Sequence, residues 1–269
     1  MRRRHWILKL ILATAALCIL LPAALIALWS VTARWPWPDL LPERYTLRTV
    51  QELLLGSARL PQLLFSSITL AGGVAVLGTL VALLTARATE LFSFPGKGLV
   101  RLCSLLPLLI PGTVFAIGIH LTLLRLGLAD TVAGVLLVHL TVALPYCITI
   151  LSDVTRAVGV GLEEQAAVLG APPLRAFCSA TLPGLLPGVL SSMSMAFTLS
   201  YSQYFTTLIV GGGRVRTLAL VLVPYIQSGD RPLASAYSVA FVGSALLVFA
   251  LFEGLIHHIQ KGGNHTWSL

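Results

Sequence analysis

The chain has 269 residues, of which 57% are hydrophobic and only 10% charged, and a formal net charge of +8. Soluble domains run at about 45–50% apolar and about 25% charged, so this chain has too few charges to cover a soluble globule of its size. Disorder is excluded for the same reason, and the composition is that of a polytopic membrane protein with little mass outside the bilayer.

A helix needs about 20 apolar residues to cross the hydrocarbon core, and six stretches qualify. The first runs from about Ile7 to Trp29, behind Arg2, Arg3 and Arg4. Val31, Thr32 and Ala33 would suit signal-peptide cleavage, but the apolar run is longer than an h-region of about 7–15 residues, so a retained helix is expected. Trp35, Pro36, Trp37 and Pro38 follow, with tryptophans suited to the membrane interface and prolines that stop the helix. The sequence YTLRTVQELLLG then predicts a short amphipathic helix from Thr46 to Leu55, stopped by Gly56, with Thr49 and Glu52 at capping-box spacing.

The second span, about Leu63–Ala86, contains no charge. A short loop with Gly96 and Gly98 leads to the third, about Leu102–Leu124. Only a few residues around Gly127–Asp130 separate it from the fourth, about Thr131–Leu151, which predicts an antiparallel hairpin. The fifth covers about Gly184–Val210, again without charge, and the sixth about Leu233–Ile256. Between them, Gly211 to Arg231 reads as the main outer loop, with Arg214, Arg216 and Arg231. The whole chain, 1–269, is expected to form a single all-α transmembrane domain.

The basic N-terminus argues for cytoplasmic N- and C-termini, but Lys and Arg divide almost evenly between the two sides, so hydropathy alone leaves the orientation open. The basic residues never form a run beyond the first three arginines, which fits membrane-flanking charge and not nucleic acid. Cys18, Cys103, Cys147 and Cys178 show neither zinc-ligand nor disulfide spacing, and no metal site is expected.

The segment 152–183 is too polar to cross the bilayer. Gly159 and Gly161 break the chain before Leu162. Glu163 and Glu164 then fall in the first turn of a helix, where the macrodipole favours negative charge. Leu162, Ala166 and Leu169 form one apolar stripe at i, i+4 and i+7. Gly170 stands where a left-handed cap is wanted, ahead of Ala171. Pro172 and Pro173 can open a second helix, about Leu174–Leu182, carrying Arg175 and Phe177. Pro183 and Pro187 mark the entry into the fifth span. The result is a helix–turn–helix elbow between spans four and five. Physics alone supports two readings of it: a knob for a groove on a soluble partner, or an amphipathic element resting on lipid.

The elbow resembles the cytoplasmic signature loop of the permease subunits of binding-protein-dependent ABC importers. That signature reads E-A-A, three residues, G, nine residues, I-x-L-P. Glu164, Gln165 and Ala166 stand at E-A-A, Gly170 at the Gly, and Leu182 and Pro183 at the final L-P. Gln165 replaces the first Ala, and Ala180 the Ile. The segment before the second span, the third and fourth spans, and SYSQYFTTLIVGGGRVRTLALVLVPYIQSGD are similar to the subgroup serving polyamines, thiamine and ferric iron.

The resemblance implies an inner-membrane protein of six helices whose elbow is cytoplasmic and receives motion from ATPases. Leu162, Glu163, Glu164, Ala166, Leu169, Gly170, Ala171, Arg175 and Phe177 would carry that coupling. The implied partners are two ATP-binding cassette subunits, a second identical or related permease and an extracytoplasmic solute-binding protein. The chain itself would hold no cofactor and no catalytic residue, and ATP would be bound by the partner subunits. A GxxxxGK[ST] phosphate loop is absent from the sequence; Gly96-Lys97-Gly98 lacks the spacing. Intramembrane polar groups are functional candidates by default, which puts His139, Ser200, Tyr201, Gln203 and Tyr204 forward for the translocation path. Helix–helix hydrogen bonding is the competing role for them. The alternative function is a secondary, ion-coupled transporter, which would need coupling charges within the bilayer and would leave the elbow unexplained.

Overall fold

The computed structural model describes residues 2–36, 38–56 and 59–264, with backbone alone at 2–5, 7 and 259–264. Trp37 and the tail from His265 therefore lie outside the described residues. In chain order the elements are α1 (Arg2–Ser30), β1 (Thr32–Arg34), β2 (Arg44–Tyr45), α2 (Arg48–Leu55), α3 (Leu60–Leu91), α4 (Lys97–Leu109), α5 (Gly112–Arg125), α6 (Val132–Val158), α7 (Gly161–Val168), α8 (Pro173–Ala176), a π-helical turn (Phe177–Thr181), α9 (Leu182–Tyr201), α10 (Phe205–Gly211), α11 (Leu218–Ser228) and α12 (Arg231–Asn264).

Among the described residues, five helices are long and apolar enough to cross a membrane, and α4 with α5 makes a sixth crossing only as a pair bent by 109°. The third span is thus broken, where the sequence suggested one helix. The break sits at Ile110, extended at φ −98° and ψ 125°, just before Pro111. The ring of a proline disfavours the helical region for the residue ahead of it.

The fifth span also differs from expectation. It runs without a stop from Pro173 through the π turn to Tyr201, so the elbow's second helix and the span are one element. Pro183 has no N–H to donate, and the π turn absorbs it: the Leu182 N–H reaches the Phe177 carbonyl five residues back. The span ends at Ser202, where Ser202 Oγ turns back to the Leu199 carbonyl at 3.1 Å, and α10 follows as a separate helix.

Two compact units divide the chain. One comprises Met1–Leu64 and Leu220–Ser244, and the other Phe65–Ala219 and Ala245–Leu269. In the first, a two-stranded antiparallel ribbon pairs Thr32 with Tyr45. Trp29 stacks on Trp35 at 4.8 Å, and the Arg231 guanidinium lies 5.4 Å from the Trp29 ring. The amphipathic helix α2 ends at Gly56 as its sequence predicts, but the capping box does not form. Thr49 lies inside the helix, buried, with its hydroxyl donating to the Ser30 carbonyl. The segment read as an outer loop holds α11, whose Tyr225 stacks on Tyr237 at 5.0 Å.

In the second unit, α6 and α9 pack antiparallel. Gly188 lies against Val154, and the Cys147 thiol points to the Ser192 carbonyl at 3.7 Å. Leu70, Leu123, Val135, Val138, Val210 and Val215 form the core between α3, α5, α6 and α10.

Candidate functional site

The elbow begins two residues beyond α6. Gly159, at φ +67°, closes that helix with its N–H on the Thr155 carbonyl. Helix α7 carries Glu163 and Glu164 in its first turn, where the exposed amides favour carboxylates. Its other end is a Schellman turn. Gly170 has φ +86°, its N–H reaches the Ala167 carbonyl at 2.9 Å, and the Ala171 N–H reaches the Ala166 carbonyl at 3.0 Å. Pro172 is extended and Pro173 opens α8, as the sequence implies.

The two glutamates have different fates. Glu163 turns inward and accepts a two-pronged pair from Arg87 near the end of α3, at 2.8 and 2.9 Å. Such fork-to-fork pairing fixes direction as well as distance. The Arg87 guanidinium also lies 4.5 Å from the Phe177 ring. Arg87 holds the Glu163 carboxyl below its usual range, against the opposing effect of burial. Glu164, which stands at the signature's E, is exposed, as are Gln165 and Arg175.

The apolar stripe is redistributed. Leu162 is 40% exposed, Ala166 half-buried, and Leu169 87% exposed at the helix end. Val168 and Leu174, which the stripe leaves out, are equally prominent at 87% and 75%. The turn thus presents three large apolar tips beside a free carboxylate, a surface suited to a groove on a partner.

The intramembrane candidates fall into two groups. His139 is buried between Ser200 Oγ at 2.9 Å and Thr207 Oγ1 at 3.0 Å, so it ties α6 to α9 and α10. Tyr201 is buried and stacks on Phe197 at 5.4 Å. Gln203 and Tyr204 stand half-buried at the break between α9 and α10, with Gln203 Oε1 accepting from Thr206 Oγ1 at 2.9 Å. The structure joins His139, Ser200 and Thr207 in one network; Tyr201 and Tyr204 belong to separate aromatic pairs.

Sequence reasoning missed Arg87 and Glu90. Glu90 accepts from Arg101 at 2.8 Å and from Arg156 at 3.1 Å, which ties α3 to α4 and α6. The available signal was the rarity of charge: in a chain 10% charged, an Arg and a Glu three residues apart just past an apolar span face a partner on another element.

The chain is similar to known proteins in sequence and in fold. The family model described as the inner membrane component of binding-protein-dependent transport systems matches residues 75–262. The putrescine transport system permease protein PotI of Escherichia coli is 28% identical over 199 residues, 71% of this chain and 69% of that one. The molybdenum transport system permease protein ModB of Mycobacterium tuberculosis is 37% identical over 160 residues, 54% of this chain and 60% of that one. The chain thus spans about two thirds of the length of the curated relatives it matches. A crystal structure of a bacterial ABC transporter that imports the acidic polysaccharide alginate shares the fold, with a TM-score of 0.64, 15% identity and 96% of each chain covered. With the family model covering well over half of its length, the chain belongs to the inner membrane components of binding-protein-dependent transport systems, the multi-pass permease subunits of ABC importers, which are not themselves enzymes.

Proposed function

We propose that this chain forms half of the translocation path of an ATP-driven importer for a small solute such as a polyamine or thiamine. An extracytoplasmic binding protein delivers the solute. A second permease, identical or related, closes the path, and two ATP-binding cassette subunits dock on the elbow from the cytoplasm. Both termini then lie in the cytoplasm. The observation that carries this reading is the elbow: a Schellman turn at Gly170 presents Glu164, Val168, Leu169 and Leu174 outward, while Glu163 holds it to α3.

Closure of the ATPases would move the elbow as a body. Only two residues join it to α6, and it runs continuously into α9, so both spans would turn with it. The Arg87 pair adds α3 to the moving set. ATP drives the switch by binding one state more tightly than the other. Among the intramembrane candidates, Gln203 and Tyr204 at the helix break are assigned to solute contact. His139 and Ser200 hold α6 and α9 together. The putrescine system of PotI supports a polyamine.

Co-purification tests the reading. The tagged chain, co-expressed with its ATPase and extracted in mild detergent, is expected to bring the ATPase with it. Gly170→Pro, which is incompatible with φ +86° and removes a turn hydrogen bond, and Glu164→Lys should each reduce recovery at least tenfold without loss of membrane insertion. Full recovery with both variants overturns the proposal.

A further inference from the structure

Two clefts adjoin between α3, α4 and α6, and both count Thr85, Ser104 and Ile148 in their walls. One, of about 280 Å³, holds the charged groups Glu90, Arg101, Asp153 and Arg156. The other, of about 450 Å³, is lined largely by apolar groups, including Val81, Leu99 and Leu144. Val81 and Glu90 are separated on α3 by about 13 Å at 1.5 Å per residue. On α3 and α6 the charged cleft therefore lies nearer the helix ends, where headgroups would stand, and the apolar one nearer mid-helix, while on α4 the two share the same turns. Helix α4 walls both and buries none of its own side chains.

The charges are arranged in alternation. Both Glu90 oxygens are taken by Arg101 and Arg156, and the carboxylate side chain is only 8% exposed. Arg101 Nη2 also reaches the Thr89 carbonyl at 3.2 Å, and Arg156 Nη1 lies 3.5 Å from Asp153. Each guanidinium remains at least half exposed. Among the described residues, Arg101 Nε and Nη1 and Arg156 Nη2 have no partner. Asp153 is 68% exposed. Two cations and two anions sum to zero, so a purely anionic ligand meets no net attraction here. A ligand carrying a phosphate and an ammonium side by side matches both the free guanidinium edges and Asp153, and a hydrocarbon chain attached to it would fill the apolar cleft.

The geometry points to a seat for one zwitterionic aminophospholipid of the phosphatidylethanolamine class. Its phosphate lies on Arg101 and Arg156, its ammonium on Asp153, and one acyl chain between α3, α4 and α6. The lipid supplies α4 with the packing that the protein does not.

Native mass spectrometry of the full chain, co-purified with its transport partners and stripped of lipid, tests this. Phosphatidylethanolamine and phosphatidylglycerol with the same acyl chains are titrated back. One phosphatidylethanolamine per chain should be retained, at least fivefold in preference to phosphatidylglycerol. Ser104→Phe, which plugs the wall common to both clefts, should weaken retention at least fivefold. Asp153→Asn should bind phospholipid but lose the headgroup preference. Equal retention of the two lipids by the unaltered chain overturns the zwitterionic assignment, and unchanged retention by Ser104→Phe overturns the site. Cys103, in the wall of the apolar cleft, gives a further measurement in a chain whose other exposed cysteines, Cys18 and Cys178, are replaced by serine. Its reaction with a membrane-soluble maleimide should slow at least threefold when phosphatidylethanolamine is added. Crosslinking of Cys103 to the second permease instead gives the groove to protein and overturns the proposal.

Discussion

At Arg87, one side chain serves two contacts: a two-pronged pair with Glu163 and a stacking contact with Phe177. Both partners of the ion pair are about a fifth exposed, so the pair falls between a surface bridge, at about 0–1 kcal/mol, and a buried one, whose breakage costs about 3–5 kcal/mol. Arg87→Ala should destabilise the chain by about 1–3 kcal/mol, or about 2–4 °C in Tm per kcal/mol, as read by thermal unfolding in detergent. Glu163→Gln should cost less, because the contact with Phe177 survives. The double variant should show positive coupling between the two sites, and additive losses would mean that the pair contributes nothing. The pH dependence follows from the depressed Glu163 pKa. The ionised form is the bonded form, so the contribution is complete above the ordinary carboxylate pKa of about 4.3. It is lost as pH falls through the lower folded value. The Tm difference between the native chain and Glu163→Gln should therefore be flat near neutrality and shrink under acid.

The helices α6 and α9 depend on a missing side chain. A Cβ at Gly188 would stand 2.7 Å from Val154 Cγ2 and 3.0 Å from its Cβ. Valine is short and stiff at χ1, so it cannot swing clear and the helices must separate. Gly188→Ala is expected to lower stability by about 1–3 kcal/mol, the usual range for overpacking. Val154→Ala in the same chain should restore most of the loss. An unchanged Tm for Gly188→Ala would show that the two helices do not approach as described. The elements also mark where sequence patterns sufficed. Gly170, Pro172 and Pro173 act within four residues, so their turn was legible in the order of residues. The merging of the elbow's second helix with the fifth span was not, because Pro183 reads as a stop until a π turn is seen to absorb it.

For the molecule as a whole, the proposed orientation is a statement about one exposed residue. Leu169 projects from the turn at 87% exposure. In a chain whose Cys178 is replaced by serine, Leu169→Cys should react with a membrane-impermeant maleimide in inverted vesicles and not in intact cells. Binding of the ATPase should slow that reaction. Labelling in intact cells would reverse the topology and remove the coupling role.

Composition and apolar run length were enough to place this chain in the bilayer, because lipid tolerates few charges and demands closed backbone hydrogen bonding. They also gave the approximate number of spans, and the glycines and prolines between Gly159 and Pro183 marked the elbow's helix–turn–helix design. What sequence left open depends on distance through space. Ile110 and Pro111 stand in an unbroken apolar run, so hydropathy passes over the break; other prolines, such as Pro145 in α6, leave their helix continuous, and only the backbone shows which one interrupts it. The partners of His139 are another case: Ser200 and Thr207, 61 and 68 residues further along, reach its two ring nitrogens only in the fold. Glu163 and Glu164 are neighbours with the same chemistry. Only the fold separates them, because one turn of helix aims Glu163 at Arg87, 76 residues away, and leaves Glu164 facing outward.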